Sequence, residues 1–182
     1  MSAQPPFALT PPNAPAPRDK TIAIVGPSNS GKTELVCGLL MWFDEHNLKV
    51  AVLKHSHKQS LGDEGKDTWR YRQAGGRLVA LAAPGLLQIT RSYPGEPELS
   101  AVLAELAPGV DLILVEGYKS SDLPKIGVVG PEPPPALPEY PHLVAWVSPV
   151  ALASDLPVFH PRQVEEIGSF IRARFGSHGA HR

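Results

Sequence analysis

One segment, Gly26-Pro-Ser-Asn-Ser-Gly-Lys-Thr33, constrains this chain more than any other. It fits the pattern G-x-x-x-x-G-K-[ST]. The apolar, β-branched run Thr21–Val25 precedes it and suits a strand buried on both faces. Leu35, Leu39, Leu40 and Phe43 follow at helical spacing, and Asn47 is a plausible cap for that helix. Lys49–Leu53 is a second strand. Strand, helix and strand at this spacing make a βαβ unit with a right-handed crossover.

The chemistry of the segment follows from its residue types. A phosphate needs many donors converging on a small anionic surface. Gly26 and Gly31 let the backbone curl, so successive N–H groups turn inward. The helix that begins near Lys32 adds unpaired N–H groups and a positive dipole end. Gly26, Ser28, Asn29, Ser30, Gly31, Lys32, Thr33 and Glu34 are therefore the candidate phosphate-binding residues. Lys32 reaches for the β- and γ-phosphates and is also a candidate catalytic residue. Thr33 offers its hydroxyl to magnesium, a hard ion that prefers oxygen ligands. The ion also wants a carboxylate. Glu116 follows the run Leu112–Val115 and should emerge at the strand's C-terminal end, where Gly117 lets the backbone turn away. Asp67 is a second candidate metal ligand and a candidate catalytic residue.

The rest of the chain alternates in the same way. A helix is expected from about Lys66 to Ala74, strands over Arg77–Ala82 and Leu86–Thr90, and a helix over Glu96–Leu106. Strands follow at Asp111–Val115, Lys125–Val129, His142–Val147 and Val158–Phe159, then a closing helix over Arg162–Phe175. The fold class is α/β: a P-loop NTPase-like, mostly parallel sheet with helices on both faces. Ligands then belong beyond the C-terminal ends of the strands. Residues 1–19 hold six prolines and read as a flexible tail, 20–176 as a single nucleotide-binding domain, and 177–182 as a frayed end. The apolar strands near the middle of the chain could pair across subunits.

Composition narrows the partners. The net charge of -1 supplies no field for nucleic acid or an anionic membrane. No apolar run approaches the roughly 20 residues that span a bilayer, and the N-terminus lacks the pattern of a signal peptide. The single cysteine, Cys37, can form no intrachain disulfide and is expected to fill the core from within a helix. A soluble, cytoplasmic protein is the expectation.

Further segments carry a family resemblance. Val52-Leu-Lys-His-Ser-His57 is followed by Asp63-Glu-Gly-Lys-Asp-Thr-Trp-Arg70, and later by Val115-Glu-Gly-Tyr-Lys119 and Leu123-Pro-Lys-Ile126. Their order resembles the molybdopterin-guanine dinucleotide biosynthesis adaptor family, MobB, over about residues 21–174. The resemblance implies a GTP-binding homodimer with magnesium and weak GTP hydrolysis. It also implies a partner, the molybdenum-cofactor guanylyltransferase that joins GMP to molybdopterin. Molybdopterin itself is a further candidate ligand. By the same resemblance Glu116 and Asp67 match the acids of the VEG and GKD segments. Lys54, His55 and His57 match a basic K-H-x-H stretch, and Lys119 and Lys125 match lysines after VEG. These basic residues are expected to gather around anions.

The chain departs from the family pattern in two places. Lys58 stands where the family often has another histidine. Pro149 follows Val147-Ser148 where the family often has an aspartate, and the nearest acid is Asp155. No N-K-x-D sequence is present either. Two other readings stay open on the sequence. An ATP-dependent ligase resembling dethiobiotin synthetase shares the P-loop and VEG, but Tyr118-Lys119 replaces its glycine-rich continuation. A metal-delivery GTPase of the nickel-insertion kind would use His55 and His57, a poor set without a nearby cysteine.

Overall fold

The computed structural model describes residues 17–56, 58, 60–132 and 136–175. His57, most of the proline-rich N-terminal segment and the C-terminal residues from 176 lie outside them. The elements in chain order are β1 (Thr21–Val25), α1 (Lys32–Glu45), β2 (Val50–Lys54), α2 (Asp67–Gln73), β3 (Leu78–Ala83) and β4 (Leu86–Arg91). They continue with α3 (Leu99–Leu106), β5 (Leu112–Glu116), β6 (Lys125–Val128), β7 (Leu143–Val147), β8 (Val158–Phe159) and α4 (Val164–Phe175). The chain divides into two compact units: residues 1–55 with 100–182, and residues 56–99. No described helix is long and apolar enough to cross a membrane.

The first unit is built on a six-stranded sheet in the order β2-β5-β1-β6-β7-β8, and every neighbouring pair is parallel. Side chains alternate between its faces. Ile22, Ile24, Leu112, Leu114, Ile126, Val128, Ala145 and Val147 join α1 and α4 in one core. The two helices meet where Gly168 leaves room for Trp42; a Cβ there would lie 2.4 Å from the indole. The α1 crossover carries the chain from β1 two places along the sheet to β2, and the segment with α3 returns in the opposite direction to β5. The right-handed rule for such crossovers puts α3 on the face opposite α1, and the buried α3 residues Leu103 and Ala104 are not part of the core that α1 and α4 share. That face holds Ala23, Val25, Ile113, Val115 and Trp146, all buried. Trp146 lies over Gly127, where a Cβ would come within 2.3 Å of the ring.

Local chemistry sets the ends of these elements. Asn47 takes a left-handed φ of 57°, and the Leu48 N–H reaches back to the Phe43 carbonyl at 2.9 Å, closing α1. Lys20 donates to the carbonyls of Ala107 and Val110 at 2.7 and 2.9 Å, satisfying acceptors just past α3. Arg18 pairs with Asp122, so the chain makes specific contacts from residue 18 onward.

Cys37 corrects an expectation: it is exposed, not core filling. The buried stripe of α1 is Leu35, Val36, Leu39, Trp42 and Phe43. Cys37 sits two residues past Leu35, about 200° around the helix at 3.6 residues per turn, and so faces away.

In the second unit, β3 and β4 form an antiparallel pair across the Pro84-Gly85 turn. Arg72 grips Asp63 through two hydrogen bonds of 2.6 and 2.8 Å. Of the two strands only Val79 is buried, while Leu81, Leu86, Leu87 and Ile89 are more than half exposed.

Candidate functional site

The loop Gly26–Thr33 leaves the C-terminal end of β1, the strand between β5 and β6. Both of its glycines are dictated by space and conformation. A Cβ on Gly26 would lie 2.2 Å from the Val128 carbonyl oxygen, a backbone atom that cannot move aside. Gly31 has φ 90° and caps α1, and its carbonyl accepts the Leu35 N–H at 3.0 Å. Asn29 also turns left-handed, at φ 59°. The chain thus curls tightly before the helix starts.

Lys32 donates to the Pro27 carbonyl across this curl. Burial pushes its ammonium below the usual lysine range. Glu116 opposes that shift, and the positive charges of Lys119 and Lys54 add to it. The loop therefore sits in a field of three lysines against two acids, Glu116 and Glu34, which favours a bound anion.

The Thr33 hydroxyl lies 3.2 and 3.4 Å from the two Glu116 carboxylate oxygens. Register explains why. Ile24 of β1 and Lys54 of β2 are both partners of Glu116 at the end of β5. Lys54 and Glu116 therefore share a sheet face, and the Lys54 ammonium lies 3.0 Å from Glu116. A hydroxyl and a carboxylate side by side are oxygen donors of the kind magnesium takes, so the residues fit that ion.

The backbone beyond Glu116 is unusual. Gly117 has φ 108°, and a Cβ there would meet the His55 Cβ at 2.9 Å. Tyr118, a non-glycine residue, has φ 52°, and its ring stacks on His55 with centroids 4.2 Å apart. A bulky residue in this region costs about 1 kcal/mol or more and tends to mark a functional segment. Sequence reasoning did not single out Tyr118; its only signal is its place after Gly117.

Other expected residues fall elsewhere. Lys125 does not gather at an anion site. It is fully buried, and its ammonium donates to the carbonyls of Ser121, Leu123 (2.8 Å) and Pro141 (3.0 Å). It ties two loops together, and burial lowers its pKa against the pull of Asp122. Asp67 belongs to the second unit, on the first turn of α2, exposed and 3.7 Å from Arg70. His57 lies outside the described residues. Among the described residues, no three His, Cys, Asp or Glu side chains cluster as a ready metal cage.

Comparison with known proteins adds an independent line. Residues 21–149 match the model of the family described as molybdopterin guanine dinucleotide synthesis protein B, MobB. The molybdopterin-guanine dinucleotide biosynthesis adapter protein of Haemophilus influenzae is 34% identical over 155 residues, 82% of this chain and 86% of its own. The solved MobB homolog from Bacillus stearothermophilus superposes with a TM-score of 0.66 at 25% identity, covering 85% of this chain and 99% of that one. A solved molybdopterin-guanine biosynthesis protein B superposes with a TM-score of 0.67 at 27% identity, covering 84% and 97%. With the phosphate loop and the strand order, these matches mean that the chain belongs to the molybdopterin guanine dinucleotide synthesis protein B family.

Proposed function

We propose that this protein binds GTP with magnesium and assists, as an adaptor, the attachment of GMP to molybdopterin. The observation that carries the reading is the meeting of Thr33 with Glu116 at the mouth of the glycine loop. On this reading the loop N–H groups of residues 26–34 cradle the phosphates. Lys32 leaves the Pro27 carbonyl for the β- and γ-phosphates, and Lys54, His55 and Lys119 extend the basic rim. Thr33 and Glu116 hold the ion, which when bound neutralises charge on the triphosphate. The proposal that Asp67 adds a second carboxylate, and with Lys32 supports slow hydrolysis, rests on its place in the GKD segment alone. The partner is a molybdenum-cofactor guanylyltransferase, in the cytoplasm.

The hairpin of β3 and β4 supports a homodimer. Cross-strand pairing places Leu78, Ala80, Ala82, Leu87 and Ile89 on one face with Arg91 at its end, and the five apolar residues are all exposed. A two-stranded sheet is marginal alone, and an apolar face of this kind calls for a cover. A second copy of the chain supplies one with the same chemistry.

The test is calorimetric titration of GTP and ATP with magnesium. Wild type should prefer GTP. Lys32→Ala should weaken GTP binding by about 100-fold, because a charged phosphate contact is lost. Equal affinity for ATP and GTP would count against the guanine assignment, and unchanged GTP binding in the variant against the role of Lys32.

A further inference from the structure

A cleft of about 280 Å³ opens beside the phosphate loop, at the C-terminal ends of β6 and β7. Asn29, Ser30 and Gly31 form one wall. Val129, Gly130 and Pro131, which follow β6, form another, and Pro149 and Pro161, past β7 and β8, close it. Its floor is apolar, from Leu35, Val128 and Val147. Its volume is several times the ~30 Å³ share of one water but below the roughly 300–1,000 Å³ of pockets that enclose whole ligands. That suits one flat, mostly apolar group attached to something held outside the cleft. Proline rings and valines offer such a group two faces to stack on.

Two polar features sit in these walls. Ser30 lines the cleft, and its hydroxyl is buried without a hydrogen-bond partner among the described residues. A buried unpaired hydroxyl is costly, and a ligand that bonds to it removes the cost. Glu34 is the one charged residue among those lining the cleft, on the first turn of α1. It lies one residue beyond Thr33, so a molecule with phosphates on the loop reaches both.

The geometry points to this cleft as the seat of the nucleotide's purine base, with Glu34 as the residue that selects guanine. The inference rests on the reading that a nucleoside triphosphate occupies the loop. A carboxylate has two acceptor oxygens and no donor. Guanine presents two adjacent donors, N1–H and the 2-amino N–H, which match those oxygens. Adenine presents an acceptor nitrogen at N1, which a carboxylate repels. Charge-assisted bonds of this paired kind discriminate strongly.

Four ligands separate the base from the phosphates: GTP, ITP (the same ring without the 2-amino group), ATP and inorganic tripolyphosphate, each titrated with magnesium. Two variants separate the cleft from the loop. Gly130→Leu fills the cleft. Its backbone tolerates a side chain, because a Cβ there meets nothing nearer than Ser30 Cα at 3.8 Å. Glu34→Gln keeps the shape and removes the charge at an exposed position.

Wild type should bind GTP more tightly than ITP, ITP more tightly than ATP, and all three more tightly than tripolyphosphate. Gly130→Leu should weaken GTP by about tenfold or more, the loss of one well-packed group, with tripolyphosphate unchanged. Glu34→Gln should reduce the GTP-to-ATP ratio by about tenfold, in the range of paired base contacts. GTP no tighter than tripolyphosphate in wild type would overturn the inference while leaving the loop assignment intact. So would full GTP affinity in Gly130→Leu, or an unchanged GTP-to-ATP ratio in Glu34→Gln. Failure of wild type to bind tripolyphosphate and GTP alike would instead overturn the loop reading on which the cleft depends.

Discussion

Both units of this chain contain apolar strands, but only one covers them. Every residue of β1, β5 and β6 is buried, and the helices that cover them come from the same unit. In β3 and β4 only Val79 is buried, although the two strands read LVALAA and LLQITR. The difference lies in what packs on them. The sheet unit has crossover helices of its own, whereas the hairpin unit has one short helix, α2, and two strands. An apolar strand therefore announces burial without saying whose atoms provide it. The sheet is finished within the chain, and the hairpin presents a surface.

The largest expected effect comes from breaking the closed side. Gly127→Val would drive a branched side chain into the Trp146 ring, where even a Cβ lies 2.3 Å away. Overpacking of this kind should destabilise the sheet unit by about 3 kcal/mol. Urea unfolding followed by tryptophan fluorescence measures it, since Trp42 and Trp146 belong to that unit and Trp69 to the other. A variant as stable as wild type would mean that the second sheet face is loosely packed, and the contrast between the units would shrink.

The open side should respond in assembly instead of folding. Leu87 and Ile89 share the exposed hairpin face. Replacing both by lysine puts charges on that face without disturbing a buried contact within the chain. The homodimer proposed above should weaken by about 2 kcal/mol, roughly thirtyfold in dissociation constant, as for loss of an interface centre. Sedimentation or light scattering across a concentration series reads the change, with circular dichroism as the control on folding. A dimer of unchanged strength would assign the subunit contact to another surface.

This contrast also separates what the sequence revealed from what it hid. The sheet strands were legible because each is a short apolar run bounded by turn residues, and Glu116 was legible because a run of known direction fixes where its last residue emerges. Its neighbours were not. That Lys54 shares a register position with Glu116 depends on β5 lying between β1 and β2, and strand order is decided by crossovers that span most of the chain. Lys125 misled for a related reason: a lysine beside an anion-binding segment and a lysine capped by three carbonyls look alike until two loops meet. Cys37 misled because its neighbours are apolar, while its angle on α1 turns it outward. The left-handed Tyr118 has no signal of its own, and the cleft beside the glycine loop is assembled from four separate segments.

The smallest effect tests what holds the hairpin unit together without a core. Arg72 and the Asp63 carboxylate form the paired hydrogen bond of that unit, and the bond holds Asp63 below the usual carboxylate range. Glu64 is shifted in the same direction, chiefly by a hydrogen bond from Ser60. A carboxyl whose folded pKa is depressed binds fewer protons folded than unfolded, so its contribution is fully present above the unfolded pKa, about 4. It fades as pH falls below that value and is lost once pH has passed through the folded pKa. Amide protection in residues 60–99, each rate taken relative to that of an unstructured chain at the same pH, should therefore fall as the solution is taken from neutral to strongly acidic pH. Asp63→Asn should already be less protected at neutral pH and lose less protection on acidification, while Glu64→Gln should remove only part of the dependence. Equal pH profiles for Asp63→Asn and wild type would show that α2 and the hairpin are held by apolar contacts around Val79, and that the second unit differs from the first in the size of its core more than in what binds it together.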